Sequence, residues 1–252
     1  MPMTELSPRV IALAATAALA TLGLAYGSAQ AGIGAAAKPA IGGASAAHPV
    51  VLELFQSQGC SSCPPANAIL NGLADRPDLL ALSFAVTYWD QLGWKDRFGS
   101  ARFTVRQQDY AKAGRGQVAT PELIVNGTHA IVGSNAREVA ETIARAGPPR
   151  GGPEIAVTAT GVRLAALAGP VRPSIVWLVR YDPGTRNVPI RAGENAGRTL
   201  PHRDIVRDLV RIGDWTGSAA SYSLPAAREP GLATAILVQR GTGGPITAAR
   251  RL

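Results

Sequence analysis

Both cysteines of the 252-residue chain lie in one short stretch, Cys60-Ser61-Ser62-Cys63-Pro64-Pro65. Two thiols three positions apart at a strand-to-helix junction suit dithiol–disulfide exchange. An apolar run, Val50 to Phe55, precedes the pair and helical spacing follows it. Cys60 then falls at or just before the helix N-terminus, where unpaired N–H groups and the helix dipole favour a thiolate. Cys63 is one turn further in and is expected to be the less exposed of the two. Cys60 is thus the candidate nucleophile and Cys63 the resolving thiol. Ser61 and Ser62 add hydroxyls but no charge, so the dipeptide fixes no particular potential. Two other uses of the cysteines stand beside exchange. They could form a structural staple, or a soft metal site with His129, as in a copper carrier.

The elements around the pair are readable by periodicity. Ala66, Ile69, Leu70 and Leu73 recur at helical spacing, and Pro64 and Pro65 suit a first helical turn. Leu79 to Val86 reads as a second buried strand. Tyr88 to Gly99 mixes aromatics with charges and reads as a structured loop, in which Trp94, Lys95 and Asp96 form a stabilising cluster. Ala101 to Ala113 is helical. Glu122 to Val125 and His129 to Val132 are strands joined by Asn126-Gly127, a hairpin signal. Asn135 to Ala146 is a helix with Ser134 as its N-cap. Gly147 to Pro153 is a breaker cluster and marks a boundary. Beyond it, Ile155–Ala159, Val162–Leu167, Ser174–Tyr181 and Ala233–Gln239 read as antiparallel strands. Ile205 to Ile212 fits a helix or a strand. Residues 193–195 and Arg198 read as a polar turn.

Composition bounds the setting. The chain is 46% hydrophobic and 17% charged, with a net charge of +8. The excess is dispersed arginine without interleaved aromatics, which argues against a nucleic-acid groove. Arg9, an uncharged apolar run from Val10 to Tyr26 and Ala29-Gln30-Ala31 have the layout of a cleavable export signal over residues 1–31. Residues 32–47 are rich in Gly, Ala and Ser and read as a flexible linker. A secreted or periplasmic location follows as an expectation, with no stable membrane span after signal cleavage. An oxidising compartment would keep the pair as a disulfide.

The run Val51 to Ala66, with Tyr88-Trp89-Asp90, Leu92 to Asp96 and Thr120-Pro121, resembles the hallmark blocks of a secreted bacterial family, domain of unknown function 1223. Residues 193–195, 213–215 and 243–246 are similar to its C-terminal part. The likeness spans nearly all of residues 50–252. Gln56 and Asn67 depart from it, where members typically carry Thr and Asp. The resemblance implies an α/β fold: a thioredoxin-like domain over residues 48–147 and an antiparallel β-rich C-terminal module over 153–252. In such a domain a cis-proline loop, here Thr120-Pro121, faces the helix-capping cysteine and receives substrate.

Several residues are candidates beside the cysteines. Glu53 interrupts an apolar strand and is a candidate proton acceptor beneath the pair, as thioredoxin-like proteins often have. Tyr88, Trp89 and Thr120 are candidates for a substrate groove, with Pro121 shaping it. No phosphate loop or nucleophile elbow is present. The expected function is thiol–disulfide exchange with extracytoplasmic protein or small-molecule thiols and disulfides. No organic cofactor is required, because the dithiol carries the electrons. The alternatives are the copper carrier and a non-catalytic binding module with a structural disulfide.

Overall fold

Seven consecutive buried residues, Val50–Gln56, form the central strand β1. Apolar side chains on both faces are the mark of a strand covered on both sides. The computed structural model describes residues 41–252. The expected export signal, and the linker as far as residue 40, lie outside the described residues.

After β1 come α1 (Pro64–Leu73), β2 (Leu79–Ala85), a 3-10 turn (Asp90–Leu92), α2 (Ala101–Lys112), β3 (Glu122–Val125), β4 (His129–Ile131) and α3 (Ala136–Ala146). Then follow β5 (Ile155–Val157), β6 (Gly161–Leu164), β7 (Ser174–Asp182), β8 (Arg186–Pro189) and β9 (Thr199–His202). The last four are β10 (Ile205–Trp215), β11 (Ala220–Ser223), β12 (Ala233–Arg240) and β13 (Ile246–Arg251). The fold is mixed α/β, with an eight-stranded sheet in the order β13-β12-β7-β10-β2-β1-β3-β4. A three-stranded sheet β11-β6-β5 and the β8–β9 hairpin complete it.

Strand parity divides the molecule. Val50, Leu52 and Leu54 face α1 and α3 and pack with Ala66, Leu70, Val139 and Ile143. Val51 and Phe55 face the other way, towards Phe103 and Tyr110 of α2, and share their cluster with Val179, Leu209 and Leu237 of the C-terminal strands. Because side chains alternate along a strand, Glu53 must join the α2 face. The three-stranded sheet covers the C-terminal half, with Ile155, Val162 and Leu164 against Val176, Leu178 and Trp215.

The Gly147-to-Pro153 breaker cluster connects α3 to β5, yet strands from both sides of it lie in one sheet. The seam is short. β2 meets β10 in parallel through Ser83 and Ile205, and Ser83 N–H donates to the Asp204 carbonyl at 2.8 Å.

One reading left open by the sequence is decided, and two details differ from its expectation. Residues 205–212 are strand, and bulges in the pairing with β7 interrupt their alternation. The extra residue at one bulge turns Val206 and Leu209 to the same face, which imitates helical spacing. The N-cap of α3 is Asn135, not Ser134; its side chain accepts from the N–H groups of Arg137 and Glu138. The described end of the Gly/Ala/Ser stretch is not loose, since Ile41 and Ala44 pack against the α1 face. The Asn126-Gly127 turn is as expected, with φ of 49° and 64°. Among the described residues no helix is long and apolar enough to cross a membrane.

Candidate functional site

Cys60 and Cys63 form a disulfide with a Cα–Cα distance of 5.4 Å, within the span such a bond requires. Cys63 is the N-cap of α1, and Pro64 and Pro65 occupy the first turn, which contains no acidic residue. The Thr120–Pro121 peptide is cis. The Thr120 carbonyl oxygen lies 3.7 Å from Cys60 Sγ, and Ser62 Oγ donates to it at 3.4 Å. β3 runs antiparallel to β1 with Glu122 opposite Phe55, so the Thr120-Pro121 loop falls at the end of β1 that leads to the cysteines.

The surroundings correct the expected exposure. Both cysteines are 0% exposed; the open positions are Ser61 and Ser62. Tertiary structure covers Cys60, through two segments far apart in the chain. One is the insertion after β2. Trp89 lies over Gly59 and donates Nε1–H to Thr120 Oγ1 at 2.7 Å. Trp94 Nε1–H donates to Gln58 Oε1 at 3.0 Å, and Asp96 Oδ2 accepts from Gln58 N–H at 2.8 Å. Burial raises the Asp96 carboxyl to about 6. Tyr88 hydrogen-bonds Gln107, and its hydroxyl is pushed up to about 12, chiefly by burial.

The second segment is the β8–β9 connection. Asn195, 0% exposed, donates from Nδ2 to the carbonyls of Gln58 and Cys60 at 2.9 and 2.8 Å. Glu194 Oε2 accepts from Ser61 N–H at 3.1 Å. Val188, Ile190 and Leu200 of the hairpin pack against Trp94 and Phe98, so hairpin and insertion form one roof. The sequence offered residues 193–195 and Arg198 as a polar turn; only the fold brings them to the cysteines.

The roof has its own pH response. His202 is 1% exposed, stacks edge-on to Phe98 and has no partner for either ring nitrogen. Burial lowers it to about 4. A depressed histidine contributes stability above its unfolded value of ~6.5, and that contribution is lost as pH falls towards 4. Wild type is therefore expected to lose stability relative to His202→Leu between about pH 6.5 and 4. Urea unfolding of both proteins across that range checks this. The comparison cancels the buried acids Asp96 and Asp204, whose raised values act in the opposite sense. A pH-independent difference would refute it.

The structure does not bring every candidate together. Glu53 is 0% exposed and lies on the α2 face, across the sheet from α1. Its Oε1 accepts from Arg106 Nε–H at 2.6 Å, and its Oε2 accepts from the Tyr110 hydroxyl. Parity removes it from the cysteines. His129 is exposed and pairs with Val125, which in turn pairs with Leu52. That is the far end of β1, about 13 Å of strand from Gln56. Among the described residues no group of His, Cys, Asp and Glu could hold a metal ion. Gln56 and Asn67, the two departures from the family pattern, are bonded to each other at 3.3 Å. They form a neutral pair beside Cys63, whose carbonyl accepts from Asn67 N–H.

The fold is similar to the crystal structure of a protein from Agrobacterium tumefaciens, with 28% identity, a TM-score of 0.65 and coverage of 86% of this chain and 96% of that one. A weaker likeness, 12% identity with a TM-score of 0.51, links it to HBP35 of Porphyromonas gingivalis over 83% of this chain and 76% of that one, and concerns the fold alone. No curated protein matches the chain. Residues 51–239 match the family described as protein of unknown function (DUF1223), and the chain belongs to that family.

Proposed function

We propose that the protein is an exported thiol–disulfide oxidoreductase built on a thioredoxin-like α/β unit, with Cys60 and Cys63 as its redox pair. One observation carries the reading: a disulfide caps α1 and faces the Thr120 carbonyl at the Thr120-Pro121 loop. The succession β1-α1-β2, α2, the β3–β4 hairpin and α3 supports the fold assignment.

The chemistry follows from the two thiols. In the reduced form the Cys60 thiolate attacks one sulfur of a substrate disulfide and expels the other as a thiolate, which takes a proton. Cys63 loses its proton and attacks Cys60 Sγ. The second substrate thiol leaves and the Cys60–Cys63 disulfide closes. Two electrons have passed from protein to substrate, and the reverse sequence oxidises a substrate dithiol. Thr120, Trp89 and Tyr88 flank the approach to Cys60. The substrates are extracytoplasmic protein or small-molecule disulfides and dithiols.

Cys63→Ala, expressed in a bacterium that exports it, is expected to accumulate mixed disulfides at Cys60 that reductant releases and Cys60→Ala abolishes. Folded Cys63→Ala that captures no partner would count heavily against the reading. The burial of both sulfurs favours a second reading, a binding module with a structural disulfide. A potential below about −300 mV would select it.

A further inference from the structure

We propose that Glu194 and Asn195 are positioning residues for the Cys60–Cys63 pair: Asn195 pins the loop that carries Cys60, and Glu194 opposes the Cys60 thiolate by its charge. This deepens the redox reading and takes its functional meaning from it. Both residues come from the β8–β9 connection, whose contacts with the Gln58–Ser61 loop span 133 to 137 positions of sequence.

The two side chains act differently. Both Asn195 amide hydrogens are committed to carbonyls of that loop, and Oδ1 accepts from Arg198 Nη1 at 2.7 Å. A buried amide with these commitments is a fastener rather than a ligand site. The connection can come this close because Gly193 has φ of +74°, and a Cβ there would lie 3.2 Å from Trp94 Cβ.

Glu194 is at the surface, and its contact is with Ser61 N–H. The Ser61 hydroxyl, and after it the Ser61 N–H, lower the Glu194 carboxyl below the usual range, so it is ionised at neutral pH. Backbone N–H groups beside a helix start stabilise a thiolate, and because α1 opens with Pro64 and Pro65, which lack them, those of the preceding turn matter more. Glu194 occupies the Ser61 N–H, two residues before the N-cap Cys63, and brings a negative charge to a helix start whose first turn holds no acid. Other polar groups around Cys60 add little compensation. Thr120, Ser62 and Trp89 are neutral, Asp96 holds Gln58 N–H, and Arg198 reaches the loop only through Asn195. A less stable Cys60 thiolate makes the dithiol more reducing and the disulfide harder to open.

The test uses the protein's own disulfide with dithiothreitol. The reagent's thiolate attacks a protein sulfur, forms a mixed disulfide and closes its ring. It is oxidised by two electrons, and Cys60 and Cys63 become thiols. In Glu194→Gln and Glu194→Ala the equilibrium is expected to move towards the dithiol by about fivefold at low salt, the reach of one charge at a helix end. That corresponds to about 20 mV for a two-electron couple. The pH profile of iodoacetamide alkylation of the reduced protein should shift to lower pH, and added salt should shrink the difference. Glu194→Asp keeps the charge and should stay within about twofold of wild type in both readouts. Gln and Ala variants indistinguishable from wild type, or an Asp variant displaced as far as Ala, would overturn the proposal. The outcome separates from the trapping experiment. Trapped partners with an inert Glu194 would leave an oxidoreductase without this tuning. A responsive Glu194 without partners would leave the tuning on a disulfide that does not exchange.

Discussion

Glu53→Gln is expected to lower folding stability by about 3–5 kcal/mol, because removing one partner of a buried ion pair strands the other charge. Arg106 is the stranded group. It is 5% exposed, lies among the rings of Phe84, Tyr110 and Trp177 and has Glu53 as its carboxylate partner. Its remaining donors go to the Tyr110 hydroxyl and Gln239 Oε1, and Gln239 in turn holds Trp177 and the Gly244 carbonyl. The network thus ties β1 and α2 to β7, β12 and the turn before β13. Arg106→Leu should cost a similar amount, and Glu53→Leu with Arg106→Leu should recover part of the loss, since the isolated charge is gone. Urea unfolding reads each term. The same Glu53→Gln protein should keep the redox equilibrium of the Cys60–Cys63 pair within about twofold of wild type, because the side chain lies across the sheet. A stability loss under about 1 kcal/mol would refute the structural role, since that is the scale of an ordinary hydrogen bond. A large shift in the redox equilibrium would restore Glu53 as an acid coupled to the cysteines.

Why Glu53 suggested catalysis, and why the fold answers otherwise, shows where sequence reading stops. The C-x-x-C pair and the helix after it were legible because each is local, whereas the loop at Thr120-Pro121 was implied by the family resemblance. Prolines at a helix start, leucines at helical spacing and an Asn-Gly hairpin declare themselves within a few residues. An acid in an apolar strand also declares itself, but its face depends on parity counted from the site. Leu54, one residue further on, shares the α1 face with Leu52; Glu53 does not. The roof was illegible for a different reason. Val188 and Ile190 alternate with exposed neighbours over too few residues to declare a strand, and Trp94 and Phe98, which cover them, come from the distant insertion. Residues 193–195 look like any polar turn until the hairpin docks. The burial of Cys60 was missed with them, since nothing near Cys60 in sequence hides it. The single sheet was missed because a breaker cluster marks a change of pattern and says nothing of whether strands on its two sides pair.

Asn195→Ala is the substitution that asks whether the roof governs access. It removes both donors from the Gln58 and Cys60 carbonyls in a place without exposed surface, so a stability loss of about 2–3 kcal/mol is expected from two unmet acceptors. Asn195→Asp should be no milder, because it keeps the shape but turns a carboxylate towards the same carbonyls. The decisive measurement is the rate at which a small phosphine reductant opens the disulfide under native conditions. If Asn195 holds the cover closed, Asn195→Ala should raise that rate by at least about tenfold, the factor that 1.4 kcal/mol confers and less than the expected loss. It should do so at denaturant concentrations where the protein is folded. A variant that loses stability without quickened reduction would place the barrier elsewhere. The Thr120 carbonyl lies against Cys60 and Trp89 holds the Thr120 side chain, and Trp89→Ala would then be the substitution that opens it. Either result decides which of the two covering segments a substrate disulfide has to displace to reach Cys60.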